Sequence, residues 1–371
     1  MKIVLVVSSM ESGGAERVAA ILSQAWAARG DTVTLVATYS KRGGCFFPVS
    51  DKVRMVYLAD RMSARVKKPF GYVAKIAALR RLFVEAQPDV IVSFLTNVNI
   101  TAIVAARGLR VPVVACEHND PTADGRSMLW KLLCKLVYPR ATAIAFLSES
   151  IAAAFRKKHK DRERSAQRIA VLPNPVSDEL LGFARTTRAD GRKRLISVGR
   201  LHPQKQYGLL IDTFAKVANE FDDWDLWIWG EGPERDMLTA RIAELNLGDR
   251  VLLPGRTQAV WDEMAAADAF VLSSRFEGMP MALMESMALG VPSVAFDCRS
   301  GPRELMRDGQ DGLLIAPDDA AALADALRRL LADAALREEL GKKGARSIRE
   351  RYSVPAILAI WDQLFSRLSV S

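Results

Sequence analysis

The chain has 371 residues, 50% hydrophobic and 26% charged, which excludes an intrinsically disordered protein and exceeds what one ordinary core accommodates. It carries a net charge of +9, placed unevenly: residues 1–172 hold 27 Lys and Arg against 13 Asp and Glu, and residues 173–371 hold 25 against 30. No apolar run is long enough to cross a bilayer, and the first residues lack a secretory signal. Cys45, Cys116, Cys134 and Cys298 form no CxxC pair, so reduced thiols in a cytoplasmic protein are expected.

Short apolar runs alternate with helical patterns, the signature of parallel sheets with crossover helices. In the first half, strands are predicted at residues 2–8, 32–38, 53–58, 90–94, 113–116 and 142–147, with helices at 15–29 and 72–85 among the connections. Pro173 and Pro175 flank Asn174, and a polar, basic stretch follows, so 173–193 reads as a linker. The rhythm then restarts with strands at 194–198, 224–229, 251–253, 269–272, 292–295 and 313–315, and helices at 207–221, 234–245, 281–289, 319–332 and 335–351. A last helix has Ser353 as cap, Pro355 in its first turn and an apolar face of Val354, Leu358, Trp361, Phe365 and Leu368. The expected domains are 1–172, linker 173–193, 194–352 and a terminal helix 353–371. Two Rossmann-like domains place ligands beyond the carboxyl ends of their strands.

Four constellations follow predicted strands. Gly199-Arg200-Leu201-His202-Pro203-Gln204-Lys205 puts two cations five residues apart on a loop that opens a helix, which suits a diphosphate. Phe276-Glu277-Gly278-Met279-Pro280 precedes a helix containing Glu285; Gly278 allows close backbone approach, and carboxylates accept hydrogen bonds from sugar hydroxyls. Gly13-Gly14 lies between the first strand and the first helix, where α/β proteins bind phosphate. Glu117-His118-Asn119-Asp120 holds the one histidine of three (His118, His159, His202) at a strand end in the first domain.

Two patterns point elsewhere. Gly230-Glu231-Gly232 begins like a dinucleotide fingerprint, but Arg235 stands where a third glycine belongs. Asp223-Trp224-Asp225 looks like a metal-binding DxD, yet it enters the amino end of a strand, so no metal and no cofactor are expected.

Taken together, the Gly-Gly-Ala-Glu loop at 13–16, Asn174-Pro175, Gly199-Arg200…Lys205, Gly230-Glu231-Gly232-Pro233, Glu277…Glu285 and Gly309…Asp311-Gly312-Leu313 resemble retaining glycosyltransferase family 4. That resemblance covers nearly the whole chain. It implies an α/β GT-B fold, with two doubly wound domains facing a central cleft and the terminal helix crossing back to the first. It further implies that Gly199, Arg200 and Lys205 hold the donor diphosphate, that Glu285 binds the ribose, and that Glu277, Gly278 and Met279 line the donor sugar. His118 would contact that sugar from the first domain, and Gly14 would approach the phosphates. Arg200, Lys205, Glu277 and His118 are the expected catalytic set. Retention would follow from front-face attack, with the leaving phosphate helping to deprotonate the acceptor.

The segments Glu117-His118-Asn119 and Cys298…Gly301-Pro302-Arg303-Glu304 look most like bacterial enzymes that extend lipid-linked oligosaccharides. The resemblance therefore implies a nucleotide diphosphate sugar, with UDP as the expected nucleotide, and a polyprenyl diphosphate-linked glycan acceptor. The excess of cations in the first half fits an anionic partner. Arg61, Arg65, Lys67, Lys68, Lys75, Arg80 and Arg81, with Phe70 and Tyr72 between them, and Arg156, Lys157, Lys158, Lys160, Arg162 and Arg164 suit an anionic membrane surface. A peripheral position at the inner face of the cytoplasmic membrane is expected. No nucleic-acid motif is present and the cations avoid the second half, so nucleic acid is not an expected partner. A nucleotide-sugar epimerase of the same fold is the alternative activity.

Overall fold

The structure, a computed structural model, describes residues 1–11, 13–39, 45–62, 71–118, 127–158, 169–186 and 191–369. It divides into one unit of Met1–Pro175 with Val354–Ser371 and a second of Val176–Ser353.

The first unit runs β1 (Lys2–Val7), α1 (Gly14–Ala28), β2 (Thr32–Ala37), β3 (Arg54–Tyr57), α2 (Gly71–Ala86), β4 (Val90–Phe94), α3 (Thr96–Ala105), β5 (Val113–Glu117), α4 (Met128–Val137), β6 (Ala143–Phe146), α5 (Glu149–Lys158) and β7 (Ile169–Val171). Its sheet has the order β3-β2-β1-β4-β5-β6-β7, parallel throughout. Central strands such as Val90–Phe94 are buried along their whole length, which is why they read as mostly apolar runs rather than alternating ones. The chain winds outward through β2 and β3, then returns to the far side of β1 as β4. The direction reverses between β1 and β4, and the loops after those strands part there.

Four elements of this unit, α3, α4, α5 and β7, have no counterpart among the predicted ones. The helix α3 is buried on most sides, Asn99 and Thr101 included, so it lacks the one-sided apolar period that marks a surface helix. The strand β7 has three residues, too few for a periodic signal. The helix α4 packs Trp130, Leu133, Cys134 and Val137 on the core and also carries apolar residues outward, so its inner face does not stand out.

The terminal helix α14 (Val354–Ser369) belongs to the first unit. Its buried face is Ile357, Trp361, Leu364 and Phe365, rotated from the predicted face, with Val354 and Leu358 only part-buried. Trp361 meets Trp26 of α1 edge-on at 5.2 Å, and Phe365 lies 6.0 Å from Trp26.

The second unit runs α6 (Asp178–Leu181), β8 (Lys193–Val198), α7 (Tyr207–Val217), β9 (Trp224–Trp229), α8 (Arg235–Glu244), β10 (Val251–Gly255), α9 (Val260–Ala265), β11 (Ala269–Leu272), α10 (Met281–Ala288), β12 (Ser293–Phe296), α11 (Pro302–Leu305), β13 (Leu313–Ile315), α12 (Ala320–Ala332) and α13 (Ala334–Tyr352). Its sheet has the order β10-β9-β8-β11-β12-β13, again parallel, and the direction reverses between β8 and β11.

Much of the stretch read as linker is built into this unit. The Val176 N–H donates to Tyr352 O at 2.8 Å. Ser177 caps α6, accepting from the Leu180 N–H at 3.2 Å, and Leu180 is buried. Arg185 donates to Ala267 O at 2.6 Å and Gly290 O at 3.2 Å. Backbone carbonyls that end other elements thus draw in a segment whose composition suggested a spacer. The boundaries after Pro175 and Ser353 meet where Val176 bridges Ser353.

Truncating Trp361 to Ala removes the aromatic anchor of α14. It should cost the first unit about 3–5 kcal/mol, seen as a lower denaturant midpoint, with the far-UV spectrum kept at low denaturant.

Candidate functional site

At the reversal point of the second unit, Lys205 and Glu277 meet. Lys205 ends the short 3-10 turn Pro203–Lys205 after β8, and Glu277 lies on the loop after β11. Their Nζ–Oε1 distance is 2.6 Å, and both side chains are largely shielded. Burial pulls the Lys205 ammonium down, but the charge of Glu277, Tyr207 and the hydrogen bond to Glu277 outweigh it, holding Lys205 above the ordinary lysine value. Tyr207, at the start of α7, is buried against the same group; burial pushes its phenol up to about 12 even though Lys205 opposes the shift.

Backbone contacts at the carboxyl ends of the strands fix this geometry. The Arg275 N–H donates to Gln204 O at 2.8 Å, Gln204 Nε2 donates to Phe276 O at 2.7 Å, and Ser273 Oγ donates to Lys205 O at 2.7 Å. The loop after β9 joins the same set: Gly199 N–H bonds Trp229 O at 3.0 Å, and Leu201 N–H bonds Glu231 O at 3.0 Å. A Cβ on Gly199 would lie 2.7 Å from the Tyr207 hydroxyl and 3.0 Å from Lys205 Cε. One on Gly230, whose φ is +145°, would fall 1.9 Å from Gly199 O. The glycines of the apparent fingerprint therefore serve close packing of two loops, and Arg235 pairs with Glu231 at 2.8 Å.

Of the remaining residues predicted here, Arg200 follows β8 and is exposed, with no ion pair among the described residues. Glu285 is buried in α10. Gly278 and Met279 are buried beside Glu277, under the loop 298–301. There Ser300 Oγ donates to Glu277 O, and a Cβ on Gly301 would lie 2.7 Å from Pro280 Cδ. Sequence reasoning singled out neither Tyr207, Gln204 nor Ser273. Tyr207 carried a usable signal, standing two residues after Lys205 where Gly199 leaves room for it.

In the first unit, Gly14 opens α1 and is exposed. The loop before it is turned around Glu16, which accepts from Ser8 Oγ at 3.3 Å and Ser9 Oγ at 3.0 Å. His118 follows β5 and is buried, its ring 4.2 Å from that of Phe94. It lines a small cavity with Val18, Leu22, Leu172, Asn174 and Trp361. Burial lowers its pKa to about 3, so the imidazole is neutral at any physiological pH, and Nε2 has no hydrogen-bond partner among the described residues. Thr96, Asn99 and Tyr138, which surround the adjoining Glu117, were missed. Glu117 accepts from Thr96 Oγ1 at 3.1 and 2.9 Å and from the Tyr138 hydroxyl. Asn99 Nδ2 in turn donates to Tyr138 OH at 3.3 Å and Cys116 O at 3.0 Å.

The basic residues predicted to face a membrane separate into different environments. Arg65, Lys67, Lys68 and Phe70 lie outside the described residues, as do Asn119, Asp120, Lys160, Arg162 and Arg164. Arg80 caps the end of α3, donating to Ala105 O at 2.9 Å and Arg107 O at 2.6 Å. Lys75 stacks 3.4 Å above the Tyr39 ring, and burial lowers its pKa. Arg61 pairs with Glu85 at 2.5 Å, and Arg156 with Glu149. Arg81 alone of the described membrane candidates on α2 is exposed and makes no hydrogen bond or ion pair among the described residues. Arg80 and Lys75 are thus tied into the fold, because helix-end carbonyls and an aromatic face take up their charge. In the apparent DxD, Asp225 is held by Arg192 at 2.6 Å and Arg250 at 3.2 Å, and Asp223 by Lys193 at 2.7 Å.

Two family models match: "Glycosyl transferase 4-like domain" over residues 13–175 and "Glycosyl transferases group 1" over residues 182–347. The chain belongs to the group 1 glycosyltransferases. This glycosyltransferase is 27% identical over 372 residues to a Campylobacter jejuni enzyme, with 99% of each chain covered. That relative is named as an α-1,4-N-acetyl-D-galactosaminyltransferase acting on a GalNAc-GalNAc-diNAcBac-PP-undecaprenol. The chain is also 29% identical to an exopolysaccharide phosphotransferase of Streptomyces coelicolor, where the match takes in 96% of this chain but spans 40% of that protein's length. Among solved structures, HepE of Anabaena in complex with UDP-glucose superposes with a TM-score of 0.77 at 20% identity, covering 100% of both chains. The glycosyltransferase has the two-domain GT-B fold, each domain a doubly wound parallel sheet.

Two predictions follow from the geometry. Glu277→Gln leaves Lys205 buried without its counter-charge, which should cost about 3 kcal/mol. Inorganic pyrophosphate should then raise the melting temperature of this variant by more than that of the wild type, and that of Lys205→Ala by less. For His118, the folded pKa near 3 lies below the unfolded value near 6.5. The unfolded chain therefore takes up the proton first, and stability is lost as pH falls below about 6.5. His118→Gln should remove about 2 kcal/mol of the loss between pH 6.5 and 5, measured by denaturant unfolding at both values.

Proposed function

We propose that the protein is a retaining hexosyltransferase that works without a metal. It moves a hexosyl or N-acetylhexosaminyl group from a UDP-sugar to a lipid-linked glycan in bacterial polysaccharide or glycoconjugate synthesis. The observation that carries this reading is the shielded ammonium of Lys205, set at the carboxyl edge of a doubly wound sheet with Arg200 on the same loop and Glu277 against it. A fixed cation there offsets the negative charge that builds on a departing nucleoside diphosphate. The named acceptor of the Campylobacter relative, a glycan on undecaprenyl diphosphate, supports the acceptor class. The UDP-glucose complex of HepE supports the nucleotide.

In this reading, Arg200 and Lys205 grip the diphosphate, Glu285 accepts from the ribose hydroxyls, and Glu277, Gly278 and Met279 line the sugar. The C1–O bond to the phosphate breaks while the acceptor oxygen bonds to C1 on the same face. The acceptor proton passes to the leaving phosphate oxygen. His118, neutral in its pocket, serves as a hydrogen-bonding contact rather than a titrating base.

The test begins with a thermal-shift screen of UDP-, GDP- and dTDP-sugars. It continues with transfer assays using the stabilising donor, polyprenyl diphosphate glycans and excess chelator. Lys205→Ala and Glu285→Ala should lower turnover by about 10²–10³ while the fold is kept. Wild-type turnover in either variant, or loss of activity in chelator that a divalent cation restores, would overturn the reading. Conversion of the donor sugar without acceptor would indicate the epimerase instead.

A further inference from the structure

The helix α4 is apolar on two sides. Inward, Trp130, Leu133, Cys134 and Val137 pack on the core of the first unit. Outward, Met128, Leu129, Leu132 and Leu136 are 78%, 64%, 52% and 55% exposed. Of the eleven exposed large hydrophobic residues in the described structure, these four fall on one helix of ten residues. Isolated exposed apolar side chains are ordinary, but a contiguous stripe marks a surface that meets something other than water.

The polar residues of this face say what that is. Lys131 and Lys135 are exposed one turn apart beside the stripe, with no ion pair or hydrogen bond among the described residues. Arg140, just beyond the helix, is also exposed, and its guanidinium caps Leu136 O. The segment 127–140 contains no acidic residue. Leucines beside lysines, without acids, complement anionic headgroups over an acyl layer. A stripe of this kind on a helix about 15 Å long is far too short to span a bilayer and is suited to lying in its surface.

We infer that α4 is the membrane-docking element of this enzyme, with Met128, Leu129, Leu132 and Leu136 entering an anionic lipid surface while Lys131 and Lys135 meet its headgroups. The inference deepens the proposed acceptor class, since it names the surface from which a lipid-linked glycan would be taken. It also ties that surface to the interior: Tyr138, directly after α4, bonds the Glu117 carboxylate next to His118. The basic stretch on α2 contributes less, because Arg80 and Lys75 are engaged within the fold.

The experiment is co-sedimentation of the full chain with vesicles of 3:1 phosphatidylcholine and phosphatidylglycerol, and with phosphatidylcholine alone. Wild type should pellet with the anionic vesicles. Leu132→Ser/Leu136→Ser should lower that partitioning at least tenfold. Lys131→Gln/Lys135→Gln should abolish the preference for anionic over neutral vesicles. Both variants should keep the wild-type far-UV spectrum and the wild-type thermal response to pyrophosphate. The inference is overturned if the leucine variant pellets like wild type, or if wild type ignores anionic vesicles. It is equally overturned if light scattering finds a wild-type dimer that the leucine variant dissolves, since a second copy then covers the face. Failure of the donor reading would appear separately, as a wild type indifferent to pyrophosphate and to every nucleotide sugar.

Discussion

A buried ammonium without a counter-charge is close to intolerable in a folded protein, and the head of the second sheet is organised around that constraint. Parallel strands wound outward in two directions leave the loops after β8 and β11 side by side. Lys205 comes from one and Glu277 from the other. The remaining hydrogen bonds of these loops, through Gln204, Ser273 and Arg275, hold the two side chains in register. Glycine is required where three loops converge, since any side chain at Gly230 would overlap the Gly199 carbonyl. Under the proposed donor reading, Glu277 supplies from within the negative charge that a diphosphate would bring. An incoming diphosphate carries more charge than one carboxylate and can compete for the same ammonium.

The first unit meets the same topological situation with different means. Its reversal lies between β1 and β4, and directly after β4 Leu95 takes φ 74° and ψ 145°. A side chain there costs roughly 1–3 kcal/mol and persists only where the surroundings over-determine it. They do: the Leu95 N–H donates to Cys116 O at 3.1 Å, its carbonyl accepts from the Asn99 N–H at 2.8 Å, and Thr96 bonds Glu117. The turn that starts α3 is thereby fixed to the end of β5. The adjoining His118 is held in an apolar pocket between Phe94 and Trp361, where burial keeps it neutral.

How much of this could be read from the amino acids differs by level. Strands such as 90–94 and 224–229 were legible residue for residue, because buried parallel strands are mostly apolar and do not alternate. Lys205 and Glu277 were legible as types in the right places after strands. Their ion pair was not, because 72 residues separate them and only the strand order brings them together. Tyr138 and Thr96, which orient Glu117, come from segments where a core helix and an outward-apolar helix blur the periodic signal. The stretch 182–193 has a related property: it is polar by composition, yet Arg185 finds backbone carbonyls that composition does not display.

Charge shows the same gap between inventory and arrangement. Residues 1–172 carry a large excess of cations, and on sequence alone the run 61–81 has a strong claim to an anionic partner. In the folded chain, part of that run is spent on neighbours: Arg61 on Glu85, Lys75 on Tyr39 and Arg80 on the end of α3. Lys131 and Lys135 make a sparser pair that no sequence window favours, yet they stand beside exposed leucines on a helix whose other face is packed. What decides the matter is the company each cation keeps, since an ammonium stacked on an aromatic ring or a guanidinium bonded to carbonyls must give up those contacts to reach a phosphate. Solvated lysines flanking an apolar stripe have no such contacts to give up among the described residues. Because α4 runs straight into Tyr138, whose hydroxyl bonds Glu117, the helix is joined through one side chain to the buried network at the end of β5.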